Sequence, residues 1–305
     1  MCTGCVTHAR DTILFTSSSL QPGSFLCPLL LSLMLPHKHM ADWDPELYNR
    51  FRRYRAEPFE AILARLQLGA AERIIDLGCG TGENTVELAR RTATGFALGI
   101  DSSRTMIEHA LALRAGLDES LRAKVDFELE DIRNMRADRE YTVVFSNAAL
   151  QWLSDHRDVF AACYRALRPG GTLVVQVPAN EHETAQATIA ALAAEPAWIT
   201  STSGAQVPSL NVDTPEHYRV MLGETGFNEI DCYYHTFHHP MQSPAEVIEW
   251  SRATVLRPFL DRLPSDRSDT FIAELNRRLV IGYGTRGALT LDYRRLFLWA
   301  RRPAD

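Results

Sequence analysis

Three glycines, each separated from the next by one residue, mark the stretch of this chain with the clearest chemical signal. It runs from Arg73 to Glu83 and reads R-I-I-D-L-G-C-G-T-G-E, an apolar run followed by a loop and then a helical pattern. Glycine permits positive φ and lets a ligand touch the main chain, so strand, tight loop and helix are predicted, with a nucleotide-like cofactor over the loop. We expect four residues of this stretch to bind it: Asp76, Gly78, Gly80 and Gly82.

The residue after the third glycine separates two classes of cofactor. A dinucleotide fingerprint, G-x-G-x-x-G, would have its third glycine where this chain has Glu83. A carboxylate at the helix N-terminus would repel a pyrophosphate, which normally binds there. The loop therefore favours a cofactor without phosphates, and a nicotinamide-dependent oxidoreductase is the alternative from a different class.

A second strand, Gly95 to Ile100, ends at Asp101, about twenty residues beyond the glycines. A carboxylate at this position can accept hydrogen bonds from a ribose diol. Ser102 and Ser103 follow and are expected to cap the next helix, with Ser102 beside the cofactor. A plain capping aspartate is the structural alternative.

Polar residues also follow the third and fourth predicted strands. After Val125 to Leu129, Asp131 could receive the amino group of an adenine while Ile132 packs on its ring, although an acidic loop is the default interpretation. The strand Y-T-V-V-F-S leads directly into Asn147 and Trp152, at the edge where open α/β sheets bind ligands.

Strands and helices alternate through five strands, although the link from the third to the fourth is short and lacks a helical period. Two further strand-like segments follow, so the expected fold class is α/β, a doubly wound, mostly parallel seven-stranded sheet. Helical inserts near 179–215 and 244–284 are expected to form a cap. Residues 40–305 would be one domain, and residues 1–39 a disordered leader or an artefact of the start site.

Composition narrows the class of protein further. The chain has 305 residues, 46% of them hydrophobic, and a formal net charge of -6, which argues against broad nucleic-acid binding. Six cysteines form no disulfide framework, which favours a reducing compartment, and we expect the cytoplasm. The apolar run near the start is too short to span a bilayer, so no membrane association is expected.

Taken together, the glycine loop, the acidic residues behind it and the R-P-G-G turn before the fifth strand resemble class I S-adenosylmethionine-dependent methyltransferases. More narrowly, W-D-P-E-L-Y, S-N-A-A-L-Q-W-L, H-P-M-Q-S, L-R-P-F-L and R-L-F-L-W-A-R-R are similar to trans-aconitate 2-methyltransferases, from about Met40 to Pro303. The resemblance implies a Rossmann-like fold, S-adenosyl-L-methionine as cofactor, and methyl transfer to a carboxylate of trans-aconitate.

The chemistry of such an acceptor is consistent with this sequence. A carboxylate is ionised at neutral pH, so no general base is expected. A small polycarboxylate needs cations and hydrogen-bond donors, and arginine suits carboxylate pairs. From position and resemblance, the expected substrate-binding residues are Tyr48, Arg55, Trp152, His239, Arg257 and Arg295. Exposed arginines in surface ion pairs are the alternative, and a monomer is expected.

Two other interpretations are not favoured. Cys232, His235, His238 and His239 invite a metal site, but they lack the spacing of a zinc module and a strand would point them to opposite faces, so no metal is expected. Cys79 has no partnering histidine nearby in the sequence, which indicates a packing role. A methyltransferase for another small molecule, such as a different acid, a phenol or a ring carbon, remains open.

Overall fold

The computed structural model of the chain describes residues 51–199, 211–252 and 255–304, without the side chains at 52, 199, 257, 258 and 265. All of these residues belong to a single compact unit, Asp42–Asp305.

Within this part of the chain, the strands form one seven-stranded sheet in the order β3-β2-β1-β4-β5-β7-β6. Their bounds are β1 Arg73–Leu77, β2 Phe96–Asp101, β3 Val125–Leu129, β4 Tyr141–Asn147, β5 Leu167–Pro178, β6 Asn228–Met241 and β7 Leu289–Arg301. The first five strands pair in parallel, and β7 runs antiparallel to both β5 and β6. The predicted fold class is confirmed. The strand order reverses between β1 and β4, the type of position at which open α/β sheets bind ligands.

The helices of the described residues are placed around this sheet. They are α1 Arg52–Arg65, α2 Glu83–Arg90, α3 Arg104–Ala115, α4 Glu119–Arg122, α5 His156–Ala166, α6 Thr184–Ala193, α7 Pro196–Ile199, α8 Pro215–Thr225, α9 Pro244–Arg252, α10 Arg257–Leu260 and α11 Ser265–Tyr283. Side chains of α1, α2 and α3 pack in one apolar cluster with Ile74 of β1, and those of α5 and α8 in another with Ile75. Because neighbouring residues of a strand point to opposite faces, the helices cover both faces of the sheet.

Local sequence signals explain where these helices begin and end. Ser103 accepts a hydrogen bond from the Met106 N–H at the start of α3, as the sequence predicts. Thr214 caps α8, Pro215 occupies its first turn, and Gly226 ends it with a φ of 107°. A single 3-10 turn, Ile132–Asn134, links β3 to β4, which confirms that this connection has no α-helix.

A third apolar cluster joins α6, α9, α10 and α11, the helices in the two segments expected to form inserts. Ile189, Trp250, Phe271 and Leu279 are among its buried side chains, together with Leu291 at the start of β7. The description of these helices as a cap remains a prediction.

Two further features of the surface bear on function. No helix in the described ranges is both long and apolar enough to cross a membrane. A depression of about 470 Å³, whose lining includes Arg73, Leu98, Glu128 and Tyr141, contains none of the predicted site residues.

Candidate functional site

The glycine loop lies between β1 and α2, and all three glycines have positive φ, 73° at Gly78, 57° at Gly80 and 88° at Gly82. A Cβ on Gly78 would lie 2.2 Å from the Cβ of Ala149, and one on Gly82 would lie 2.5 Å from the ring of Phe127. These two glycines are therefore required by close packing. A Cβ on Gly80 would have no atom within 4 Å, so the loop at Gly80 faces open space.

Asp101, the last residue of β2, is held by two backbone donors. The Gly80 N–H donates to Oδ2 at 3.0 Å, and the Ser103 N–H donates to Oδ1 at 2.8 Å. A carboxylate oxygen can accept more than one hydrogen bond, so both oxygens retain capacity for a diol. Ser102 is exposed beside it. The loop thus fixes the orientation of the carboxylate.

Asp76 lies beneath the loop and is buried. The Thr85 hydroxyl of α2 donates to its Oδ2 at 2.6 Å. Burial raises the pKa of Asp76 to about 7, the Thr85 hydrogen bond opposes this rise, and the charge of Asp101 adds to it. The hydrogen bond connects the end of β1 to the start of α2, so Asp76 supports the loop from below.

Asp131 begins the 3-10 turn and is paired with Arg133, whose Nη2 lies 2.5 Å from Oδ2. The hydrogen bond from Arg133 lowers the pKa of Asp131, which is therefore ionised at neutral pH. Ile132 is buried, and its Cδ1 would lie 3.8 Å from a Cβ on Gly78. Ile132 is thus close to the loop, as its predicted role against the adenine ring requires.

Asn147 ends β4 and is followed by Ala148, whose φ is 57°. The Oδ1 of Asn147 is buried and has no hydrogen-bond partner in the described part of the structure. Such a group calls for a donor from a ligand or a water molecule. Trp152, in the 3-10 turn Leu150–Trp152, has 57% of its surface exposed.

These features fit S-adenosyl-L-methionine. The oriented Asp101 carboxylate suits its ribose diol, the open space at Gly80 admits close approach to the backbone, and the unpartnered Asn147 oxygen suits an N–H donor. We refer to the groups from Asp76 to Ser102, with Asp131, Ile132 and Asn147, as the cofactor rim.

Of the two predicted arginines whose side chains the structure describes, Arg295 on β7 is the more deeply buried, with 6% of its surface exposed. Its Nη1 donates to the Oε1 of Gln176 on β5 at 3.1 Å, and its guanidinium lies 4.8 Å from the ring centre of Tyr293. Arg55 of α1, which is half-buried, lies 5.0 Å over the ring of Trp250. Trp250 and Tyr293 are in turn 5.5 Å apart, so these rings connect the two arginines.

His239 on β6 is fully buried within the same group of rings. It stacks on Tyr54 at 4.4 Å, and its Nδ1 lies 3.4 Å from the Oε2 of Glu57. Burial lowers the pKa of His239 to about 4, and the positive charge of Arg295 acts in the same direction. The imidazole is therefore neutral at neutral pH.

Glu57, which sequence reasoning did not single out, adds an acid to this group of cations. Burial raises its pKa, while the charges of Arg53 and Arg295 oppose the rise. Its position on α1, two residues beyond Arg55, places the carboxyl group beside His239. We refer to the side chains around Arg295 as the acceptor pocket: Tyr54, Arg55, Glu57, Gln176, His239, Trp250, Tyr293 and Arg295.

Of the six predicted substrate residues, the structure brings together Arg55, His239 and Arg295. Tyr48 lies outside the described residues; Arg257 begins α10, but its side chain is also outside them. Gln176 was missed although the sequence carried a signal for it. A polar residue within the buried strand T-L-V-V-Q-V requires a partner, and the glutamine could have been noted for that reason.

The alternative metal and nucleophile interpretations gain no geometric support. The described residues contain no group of three or more His, Cys, Asp or Glu side chains that could hold a metal ion. His238 pairs with Asp292 at 2.6 Å on the exposed side of β6. Burial raises the pKa of the Cys79 thiol, so this cysteine is a packing residue next to Gly99.

Comparison with known proteins agrees with this fold. Residues 74–171 match the family described as a methyltransferase domain. A phosphoethanolamine N-methyltransferase 2 of Haemonchus contortus, solved with S-adenosyl-L-methionine, superposes with a TM-score of 0.53 at 20% identity, over 81% of this chain and 52% of that one. The [4+2]-cyclase SpnF superposes with a TM-score of 0.51 at 21% identity, over 82% of each chain. Fold and rim together define a class I S-adenosylmethionine-dependent methyltransferase.

Sequence relatives identify the family within this class. The trans-aconitate 2-methyltransferase of Variovorax paradoxus (strain S110) is 35% identical over 87% of this chain and 100% of its own length. That of Escherichia coli O1:K1 / APEC is 36% identical over 86% and 99%. The chain belongs to the trans-aconitate 2-methyltransferase family, and the resemblance found in its sequence is confirmed.

Proposed function

We propose that the protein transfers the methyl group of S-adenosyl-L-methionine to a carboxylate of trans-aconitate, giving the monomethyl ester and S-adenosylhomocysteine. The observation that carries this proposal is the buried Arg295 guanidinium, which is linked to Arg55 and the neutral His239 through the packed rings of Tyr293 and Trp250. Two guanidinium groups in one cluster suit an acceptor with several carboxylates, because arginine binds carboxylates through charge-assisted, often bidentate hydrogen bonds. The relatives that share the family carry this activity in their names.

The reaction requires little of the protein beyond positioning. When bound, the cofactor supplies an electrophilic methyl group on a sulfonium sulfur. The ester forms as a carboxylate oxygen bonds to the methyl carbon and the carbon–sulfur bond breaks, with its electron pair left on sulfur, so no proton is transferred. Orientation of reacting groups can contribute roughly 7 to 11 kcal/mol in the best intramolecular systems.

Each side chain of the pocket then has a simple role. Arg295 and Arg55 hold carboxylates through charge-assisted hydrogen bonds. His239 offers a neutral N–H or an acceptor nitrogen against the ligand, and we keep Tyr48, Trp152 and Arg257 as proposed members of the site. The rings of Tyr54, Trp250 and Tyr293 exclude water, which strengthens these interactions.

A panel of acceptors tests the proposal. The protein is incubated with methyl-labelled S-adenosyl-L-methionine and, in parallel, trans-aconitate, a saturated dicarboxylate, a monocarboxylate and a phenol. We expect an organic-extractable ester with trans-aconitate, less with the dicarboxylate, and none with the last two. A folded protein that binds S-adenosylhomocysteine yet methylates only the phenol would contradict the proposal.

Further aspects of the proposal concern architecture and location. We propose that α6, α7 and α9 to α11 form a cap over the acceptor pocket, and that the protein acts as a monomer in the cytoplasm. Their packing in a separate apolar cluster supports the cap, and the scattered cysteines support a reducing compartment. Light scattering of the purified protein would test the monomer.

A further inference from the structure

Gln176 on β5 is a fully buried amide whose orientation is fixed by its neighbour. Arg295 Nη1 donates to its Oε1 at 3.1 Å. A guanidinium has only donors, so the amide oxygen must be the atom that faces it, and the amide NH2 points elsewhere. That Nε2 is buried and has no hydrogen-bond partner among the residues that the structure describes.

The position of Gln176 links the two halves of the site. It pairs in register with Asn147 of β4 on one side and with Phe297 of β7 on the other. Residues paired in adjacent strands project to the same face of a sheet. Gln176 therefore lies next to Asn147, at the cofactor rim, and contacts Arg295, in the acceptor pocket.

Two other buried donors share with Gln176 the lack of a hydrogen-bond partner. The Nδ2 of Asn180, two residues past the end of β5, and the Nε1 of Trp250 are buried and have no partner in the described ranges. Buried polar groups without partners are rare in native proteins, and Gln176 and Trp250 are both linked to Arg295, the first directly and the second through the ring of Tyr293. Such a set calls for an acceptor-rich anion, which a carboxylate is.

We propose that the Gln176 amide N–H holds the carboxylate that becomes methylated, whereas Arg295 and Arg55 hold the other carboxylates of the acceptor. This inference rests on the proposed function and assigns its reacting group. A carboxylate paired with a guanidinium has much of its charge drawn into charge-assisted hydrogen bonds. A neutral amide orients an oxygen while leaving it more nucleophilic, and Gln176 is the donor next to the rim.

Gln176 is thus a positioning residue that selects which carboxylate reacts. Misplacement of a reacting atom by about 1 Å can cost on the order of 100-fold in rate. Loss of the amide donor should therefore lower kcat more than it raises KM, because the arginines still bind the acceptor. A second carboxylate could also approach the methyl group, so a mixture of ester regioisomers should appear.

Two substitutions test this assignment. Gln176→Glu is isosteric and keeps an oxygen toward Arg295, but it replaces the amide donor with an acceptor; Gln176→Leu removes both. We expect each to lower kcat with trans-aconitate on the order of 10- to 100-fold, with KM and S-adenosylhomocysteine affinity changed less than about 3-fold. NMR of the extracted ester should show one regioisomer for the wild type and a mixture for the variants. Thr92→Val, which removes a buried hydroxyl near the end of α2, is the control and should leave kcat and product unchanged.

The other outcomes discriminate between failures. A wild type that esterifies no acid of the panel overturns both the inference and the proposed function. If the wild type forms the ester and the Gln176 variants raise KM at unchanged kcat and regioisomer ratio, the amide holds a spectator carboxylate and only the inference fails. A comparable loss of S-adenosylhomocysteine affinity, measured by calorimetry, would assign the amide to the cofactor and also overturn it.

Discussion

The cofactor rim and the acceptor pocket are adjacent in the sheet but are constructed in different ways. The rim consists largely of main chain and comes mostly from one continuous segment, in which glycine φ values and backbone N–H groups orient Asp101. The pocket consists of side chains from α1, β5, β6, α9 and β7. In the proposed sites, backbone geometry therefore orients the groups that face the cofactor, whereas tertiary packing brings together the groups that face the acceptor.

The two regions also differ in charge. The rim presents the carboxylate of Asp101, which suits a ribose diol, and the carboxyl group of Asp76 lies buried beneath it. The pocket presents arginines and neutral donors, with Glu57 as its acid. We therefore expect a substitution in one region to change the affinity for one ligand and to leave the affinity for the other ligand nearly intact.

Arg295→Leu should give the largest difference between the effect on the acceptor and the effect on the cofactor. It removes a buried guanidinium, and hydrogen bonds to charged groups contribute about 1.5 to 3 kcal/mol each, so kcat/KM for trans-aconitate should fall about 100-fold. The affinity for S-adenosylhomocysteine, measured by calorimetry, should be unchanged.

Arg294→Leu is the matched control for this experiment. Arg294 precedes Arg295 on β7, lies over Tyr234 and donates to the Ala179 carbonyl, so it points to the other face of the sheet. Acceptor kinetics of this variant should remain close to those of the wild type. An equal loss for both arginines would mean that general positive charge, and not the pocket, binds the acceptor.

Gly80→Ala is the converse experiment, a substitution in the rim that should weaken cofactor binding more than acceptor binding. The alanine must adopt a φ of 57°, which costs about 1 to 2 kcal/mol, and its Cβ enters the open space over the loop. S-adenosylhomocysteine affinity should fall about 10- to 30-fold, with a smaller change in the KM for the acceptor at saturating cofactor.

Gly170→Ala separates backbone strain from steric exclusion of the ligand. Gly170 has a φ of 76° and also lacks neighbours within 4 Å of a Cβ, but it lies within β5 near the register shift between Leu167 and Thr172, at the other end of the strand from Gln176, which pairs with Asn147 of the rim. Both variants should lose similar stability in urea unfolding, and only Gly80→Ala should lose cofactor affinity. If Gly170→Ala lost it equally, strain alone would explain the effect.

The difference between the regions also explains what the sequence could predict. The rim residues from Asp76 to Ser102 are close in the chain, so their roles follow from glycine spacing and strand ends. Arg55, His239 and Arg295 were expected from position and resemblance, and the structure brings them together. Glu57 and Tyr54 could not be predicted in this way, because their contacts with His239 depend on how α1 packs against β6.

Trp152 shows a second limit of prediction from the sequence. Its position after β4 predicts proximity to the rim, yet 57% of its surface is exposed at the end of the 3-10 turn Leu150–Trp152. The end of a strand predicts which edge of the sheet a residue lies near, but not the direction of its side chain in an irregular turn. Its proposed role in substrate binding therefore depends on the acceptor kinetics of Trp152→Ala.

Protonation of His239 should have the least effect on either ligand at neutral pH, because it changes stability only in acid, and it tests how dry the pocket is. Its pKa is lowered from about 6.5 in the unfolded chain to about 4 in the folded protein, chiefly by burial. Between these two pH values the unfolded state binds more protons than the folded state. The contribution of the neutral His239 to the free energy of unfolding is therefore fully present above about pH 6.5 and is lost as the pH falls toward 4. His239→Phe should keep the stacking on Tyr54 and reduce this loss by roughly 1 to 3 kcal/mol between pH 7 and pH 4.5, measured by urea unfolding.

Two other histidines, His156 and His238, allow the pH dependence of stability to be assigned to His239. His156 is buried against Tyr218 and its pKa is also lowered by burial, so part of the acid-side slope should persist in His239→Phe. His238, the exposed neighbour of His239, is the control, and His238→Asn should keep the full slope. If His239→Phe also kept it, the imidazole would be as well solvated as in the unfolded chain. The pocket would then be too wet for its neutral donors to discriminate between carboxylates, and the contrast with the backbone-determined rim would be lost.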